Sequence, residues 1–131
     1  MRRKSSEQLT AAEWKVMKVV WDIESGSSRE IYERAGEKHD WAYTTVKTIL
    51  SSLVNKKFLK TRQDGNKFVY SPAKPAINTL MQAADDFIDR SVEGVKGRLL
   101  CYMANRIELS EEDVQELQAI LDQQKEKGST S

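Results

Sequence analysis

Residues 42–72 read AYTTVKTILSSLVNKKFLKTRQDGNKFVYSP, and two periodicities meet inside them. Over 42–57, Val46, Ile49, Leu50, Leu53 and Val54 recur at helical spacing and form one apolar stripe. Thr44, Thr45, Lys47, Thr48, Ser51, Ser52 and Asn55 fill much of the remainder. Thr and Ser are poorer helix formers than Glu, Lys or Ala, so three Thr in two turns point to a use other than helicity. Phe58 to Arg62 and Lys67 to Ser71 are short runs with β-branched and aromatic residues around Asp64-Gly65. An Asp-Gly pair signals a hairpin, because such a turn needs residues that tolerate positive φ. Pro72 and Pro75 then stop extended structure and mark a boundary.

Working outward toward the N-terminus, Thr10-Ala11-Ala12-Glu13 has the spacing of a capping box. Trp14, Met17, Val20 and Trp21 follow at helical spacing, which predicts a first helix over about 11–23. Glu24-Ser25-Gly26-Ser27 ends it. Ser28 is expected to cap a second helix, about 29–38, with Ile31, Tyr32 and Ala35 inward, and His39-Asp40-Trp41 connects to the third. Three short helices and a two-stranded hairpin describe a winged helix-turn-helix, whose third helix enters the DNA major groove while the wing lies on neighbouring phosphates. Trp14, Trp21 and Trp41 are read as core anchors of this part.

Toward the C-terminus the pattern stays helical. Ile77, Leu80, Met81, Ala84, Phe87 and Ile88 form one stripe. Gly94 and Gly97 interrupt before Leu99, Leu100, Tyr102, Met103 and Ile107. Ser110 caps a last helix with acids in its first turn and Val114, Leu117, Ile120 and Leu121 on one side, and 125–131 reads as a frayed polar tail. Three short amphipathic helices bury little alone. The fold class is therefore mainly α: an N-terminal winged helix over 1–74 and a C-terminal three-helix dimerisation module over 75–131. Leu80, Phe87, Leu99, Tyr102, Met103, Leu117 and Leu121 are the expected dimer contacts. The alternative is that these helices fold back on the winged domain of their own chain.

Charge sharpens this division. The 131 residues carry 21 Lys+Arg and 20 Asp+Glu, a net +1 that by itself argues against a nucleic-acid partner. Divided before Pro75, the total separates into +6 and −5, and residues 41–70 alone carry +5. Such asymmetry suggests two jobs, against the alternative of chance clustering on solvated faces. Thr44, Thr45, Lys47 and Thr48 are the candidate base or near-base contacts, since a Thr offers both a hydroxyl and a methyl. Lys56, Lys57, Lys60, Arg62 and Lys67 are the candidate phosphate contacts, which position without specifying sequence. Arg2, Arg3 and Lys4 are either an arm toward the DNA or a plain tail. The expected partners are double-stranded DNA with a palindromic operator and a second copy of the chain, because a two-fold dimer presents two recognition helices.

Other classes find little support. One Cys and one His exclude a disulfide framework and a Cys-rich zinc site, and no cofactor or metal is expected. The longest apolar run, Leu99 to Ala104, is too short to span a membrane. Met1-Arg2-Arg3-Lys4 opens like a signal peptide, but Ser5-Ser6-Glu7-Gln8 follows where apolar residues belong. A soluble cytoplasmic protein is the expectation. No Gly-rich phosphate loop or nucleophile–base pair suggests an enzyme. Cys101, inside an apolar run, is read as core packing, with a redox role as the alternative. A winged-helix protein-interaction module without DNA binding is the other reading of the fold, although it has no need of +5 over 41–70.

Three segments carry a resemblance over nearly the whole chain: Leu9 to Trp21 (LTAAEWKVMKVVW), Ala42 to Leu50 (AYTTVKTIL) and Gly65 to Pro72 (GNKFVYSP). Together they resemble the BlaI/MecI/CopY penicillinase-repressor family. The resemblance implies a bacterial dimeric repressor with an N-terminal winged helix and a helical dimer domain, acting on palindromic operators upstream of β-lactamase or copper-efflux genes. It aligns Thr44, Thr45 and Thr48 with DNA-contacting positions, with Lys47 beside them. The departures are specific. The metal-binding Cys-x-Cys motifs of the CopY branch have no counterpart in 122–131. The Asn-Phe bond cleaved in the β-lactamase branch is replaced by Cys101-Tyr102. The family often has Arg near Ser52 and Gly near Lys57.

Overall fold

The computed structural model describes residues 8–90 and 94–130. Two compact units divide within one helix, after Asp86. The first contains α1 (Ala11–Ile23), β1 (Gly26–Ser27), α2 (Ser28–His39), α3 (Tyr43–Asn55), β2 (Leu59–Asp64), β3 (Lys67–Pro72) and the start of α4 (Ala76–Arg90). The second contains the end of α4, α5 (Lys96–Arg106) and α6 (Glu111–Thr130). This is the expected winged helix followed by a helical C-terminal part. Among the described residues no helix is long and apolar enough to cross a membrane.

Local chemistry explains the element ends. Thr10 caps α1: its hydroxyl accepts from the Glu13 backbone N–H at 3.1 Å, and Glu13 Oε1 accepts from the Thr10 N–H at 2.8 Å. Ser27, not Ser28, caps α2, with the same reciprocal bonds to Glu30 at 3.2 and 2.8 Å. The reason is spacing. Ser27 has the Glu three positions later that completes a capping box, and its backbone is extended.

That extended backbone has a second use. Gly26 and Ser27 form a two-residue strand, paired antiparallel with Tyr70 and Val69, so the sheet has three strands in the order β1-β3-β2. The hairpin register sets Asp64 opposite Lys67, which leaves Gly65 and Asn66 as the turn. Asp64 is therefore the last strand residue, and Gly65 at φ +67° supplies the left-handed conformation at the first turn position.

The core of the first unit is Val16, Met17 and Val20 from α1, Ile31 and Ala35 from α2, Val46, Ile49, Leu50 and Leu53 from α3, and Leu59 from β2. The apolar stripe read in 42–57 is thus what fixes α3 to the other helices. Trp21 and Trp41 are half-buried against this cluster. Trp14 is half-buried as well and meets Trp21 edge to face, with 6.1 Å between ring centroids. The tryptophans cover the rim of the core rather than anchor its centre.

The end of α3 is a Schellman motif. Phe58 N–H donates to the Leu53 carbonyl at 2.9 Å and Lys57 N–H to the Val54 carbonyl at 3.0 Å. Lys57 holds φ +71° there, a conformation that favours Gly and costs a side chain energy.

In the second unit, none of the residues with described side chains is buried. Leu99 and Leu117 are half-buried, while Phe87, Leu100, Tyr102, Met103, Ile107, Val114, Ile120 and Leu121 are exposed. Cys101 is exposed in the chain too, contrary to the expectation of core packing. Ser110 caps α6, its hydroxyl accepting from the Asp113 N–H at 3.1 Å. The helix runs on to Thr130, so residues 125–130 of the segment read as a frayed tail are helical, in keeping with the helix-forming Lys125, Glu126 and Lys127.

Candidate nucleic-acid interface

Burying Val46, Ile49, Leu50 and Leu53 turns the opposite side of α3 outward. Thr44, Thr45, Lys47, Thr48, Ser51 and Asn55 are all exposed on it. The four expected base-contact residues are therefore brought together on one open helix surface. The Thr48 hydroxyl donates to the Thr44 carbonyl at 3.0 Å. Its proton is occupied inside the helix, which leaves its lone pairs and its methyl facing outward.

Both ends of α3 are tied to the rest of the unit. At the start, no side chain caps the helix, but the Tyr43 and Ser28 hydroxyls lie 2.8 Å apart and the Tyr43 ring meets Tyr32 edge to face at 5.4 Å. At the end, Ser52 Oγ donates to Glu13 Oε2 at 2.6 Å, and Lys56 Nζ donates to Glu13 Oε1 at 2.8 Å and to the Gln8 carbonyl at 2.9 Å. The Glu13 side chain is only 5% exposed and that of Lys56 20%. Burial on its own raises the Glu13 pKa. The hydrogen bonds from Lys56, Ser52 and Thr10, with the Lys56 charge, outweigh it and hold the carboxyl below its ordinary value.

This geometry corrects the reading of Lys56. Its ammonium is engaged by a buried carboxylate and a backbone carbonyl, so it is a structural partner of Glu13 rather than a cation free for a phosphate. Lys57, Lys60, Arg62 and Lys67 are exposed. Alternation along the hairpin separates the last three from α3. Thr61, Phe68 and Tyr70 line a groove with Ser51, Val54 and Asn55 of α3, while Lys60, Arg62 and Lys67 project from the other face of the same strands. Tyr70 is half-buried, and burial, with Tyr43 nearby, pushes its phenol pKa up.

Ser51 and Asn55, read on the polar side of the helix but not as contacts, extend the outward face of α3. Two features escaped the sequence reading. Phe68, 55% exposed on the hairpin, borders the same groove. Arg29 lies outside the basic window 41–70, yet its guanidinium carbon sits 4.7 Å from the centroid of the Tyr43 ring. The signal for Arg29 was its position just after a helix cap, which says nothing about α3 until the fold is known. Among the described residues no group of His, Cys, Asp and Glu is arranged to hold a metal ion.

A short three-stranded sheet packs with three helices, the third of them open and Thr-rich. The family model described as penicillinase repressor matches residues 9–123. The chain belongs to the penicillinase repressor family. Members of this family are transcriptional repressors, not enzymes. The penicillinase repressor of Bacillus licheniformis is 28% identical over 122 residues, covering 93% of this chain and 95% of its own. A Latilactobacillus sakei relative, an uncharacterized 16.5 kDa protein in the ptsI 3′ region, is 32% identical over 117 residues and covers 89% of this chain and 80% of its own. Among solved structures, the DNA-binding domain of the repressor BlaI is similar at a TM-score of 0.50 and 32% identity, covering 53% of this chain and 84% of that one. The likeness to BlaI agrees with the winged-helix architecture.

Proposed function

We propose that this penicillinase-repressor family member is a homodimeric, sequence-specific DNA-binding repressor that acts on a palindromic operator in the bacterial cytoplasm and is nucleoid-associated while bound. Helix α3 enters the major groove and the β2–β3 wing lies over the adjacent backbone. The observation that carries this reading is the α3 surface: Thr44, Thr45, Lys47 and Thr48 exposed together on a helix fixed at both ends. Thr48, with its proton engaged by Thr44, reads a base through its methyl or by accepting from a base amine. Thr44, Thr45 and Lys47 take base edges or the nearest phosphates, and Lys57, Lys60, Arg62 and Lys67 take phosphates further out.

The DNA-binding part is residues 1–74 and the dimerising part 75–131. Support for dimerisation is the exposure of Leu80, Phe87, Tyr102, Met103 and Leu121, with Leu99 and Leu117 only half-buried. Helices that bury little of their own gain stability when two copies cover these stripes. The acidic −5 of 75–131 keeps this part off the phosphates.

Selection of bound sequences from a random duplex pool tests the reading. A two-fold symmetric consensus is expected; enrichment of no sequence refutes specific recognition, and an asymmetric single half-site refutes the dimeric docking. Sedimentation of the full chain should give a dimer that Leu121→Asp weakens, and a monomer at all concentrations would overturn that part.

A further inference from the structure

The cations beside the start of α3 are not those of the wing. Lys60, Arg62 and Lys67 project from the hairpin face turned away from the α3 groove. A different pair flanks the start of α3. Arg29, on the first turn of α2, holds its guanidinium 4.7 Å from the Tyr43 ring centroid and 5.6 Å from that of Tyr32. Lys47, one turn along α3 from Tyr43, brings its ammonium within 5.8 Å of the same Tyr43 ring. Both side chains are exposed. Among the described residues neither Arg29 nor Lys47 is ion-paired with an acid, unlike Arg34 with Asp22 and Lys56 with Glu13.

A guanidinium over an aromatic ring keeps its charge and its in-plane N–H donors while losing freedom of movement. Tyr43 is itself fixed by the Ser28 hydroxyl and by Tyr32. The two rings therefore act as a post that sets one planar cation beside the recognition surface, where a long unpaired side chain would otherwise sweep.

We infer that Arg29, positioned by Tyr43 and Tyr32, binds a DNA backbone phosphate together with Lys47 and so fixes the depth and register of α3 in the groove. This rests on the DNA-binding reading above. Tyr43 is a positioning residue and Arg29 the contacting one. A guanidinium and an ammonium beside one ring can share a phosphate diester, and the guanidinium fork matches its two free oxygens.

The test is fluorescence anisotropy of the full-length protein on a labelled mixed-sequence duplex across a salt series. Arg29→Gln should flatten the slope of log affinity against log salt by about 0.9 for each protomer bound, near eightfold in affinity per protomer at about 0.1 M salt. Arg34→Gln, on the same helix but paired with Asp22 at 3.6 Å, should leave the slope unchanged. Arg29→Lys should retain the slope. An Arg29→Gln slope equal to that of the parent overturns the inference while leaving DNA binding intact. A parent protein with no salt dependence overturns both. A loss confined to the selected operator and absent on mixed sequence also overturns it, since that would make Arg29 a base reader. Arg29 is exposed, so thermal melting of the variant should match the parent and confirm that folding is not being measured.

Discussion

Replacing Glu13 by Gln isolates the charge of the group that joins α1 to the end of α3. The side chain keeps its shape and can still accept from Lys56 and the Thr10 N–H through one oxygen, while the new amide faces the Ser52 hydroxyl, which can turn to accept. What disappears is the negative charge opposite Lys56. Exposed ion pairs contribute about 0–1 kcal/mol, and breaking a fully buried one costs about 3–5 kcal/mol. With Glu13 5% and Lys56 20% exposed, the pair lies nearer the buried limit, although Lys56 can regain some water. The expected loss is roughly 2–3 kcal/mol, a substantial part of the stability of a small domain. For a domain of this size that is a fall in melting temperature of roughly 8–20 °C. Removing the cation instead, in Lys56→Met, should cost more, because the charge left behind belongs to the less exposed partner, and the double variant should recover part of the loss.

The same experiment has a pH signature. The Glu13 carboxyl is held below its ordinary value in the fold, so its contribution is complete above the ordinary carboxylate value near 4.5 and disappears as the pH falls through the lower folded value. Melting curves recorded from neutral to acid pH should show the gap between parent and Glu13→Gln narrowing in that window. Equal melting temperatures at neutral pH, or a gap that persists unchanged into acid, would refute the ion pair as the source of the stability.

Three further outcomes follow from particular residues. Lys57→Gly should raise stability by about 1 kcal/mol in urea unfolding, because Lys57 holds φ +71° and its side chain is exposed; a destabilised variant would show that the left-handed cost is not borne there. Gly65→Val should destabilise the hairpin by about 1 kcal/mol or more through φ +67°, read as faster amide exchange in β2 and β3; unchanged exchange would argue for another turn conformation. His39, the one His in the chain, should titrate below its ordinary 6.5 by NMR, because partial burial and then the charges of Lys15, Lys38 and Lys18 disfavour the imidazolium; a midpoint at or above 6.5 would refute this.

The elements of the first unit were legible because each carries a local signal. The stripe Val46, Ile49, Leu50, Leu53 gave α3 its inward face, and Thr10 with Glu13 gave α1 its start. What was not legible is whatever depends on residues far apart in the chain. Gly26-Ser27 looks like a turn, and only its pairing with Tyr70 and Val69 makes it a strand. Lys56 reads as one more basic residue after a helix, but its partner lies on α1, 43 positions earlier. Lys60, Arg62 and Lys67 read as cations of the wing beside the end of α3, and only the two-residue period of the strands shows that they project from the hairpin face opposite the α3 groove. Cys101 reads as core within Leu99 to Ala104, yet the isolated chain leaves it exposed. A one-dimensional apolar run does not distinguish an intramolecular core from an apolar face that the chain leaves open.

The two anchors of α3 bear differently on recognition. Base contacts demand that a helix sit within fractions of an ångström of its position, because hydrogen bonds weaken steeply with distance and angle. Phosphate attraction tolerates larger errors. In α3 the proposed readout residues Thr44, Thr45, Lys47 and Thr48 lie in the first half of the helix, next to the Tyr43–Ser28 contact and Arg29, while Ser52 and Lys56 hold its far end through Glu13. A buried ion pair is a poor source of net stability compared with apolar packing, but its partners have definite directions, which a Leu or Val contact lacks. Glu13 accepts from α3 at two positions one turn apart, Ser52 and Lys56, and this resists rotation of the helix about its own axis as well as sliding along it. The apolar stripe of α3 supplies the adhesion, and the polar ties at its two ends set the angle at which the exposed threonines face outward.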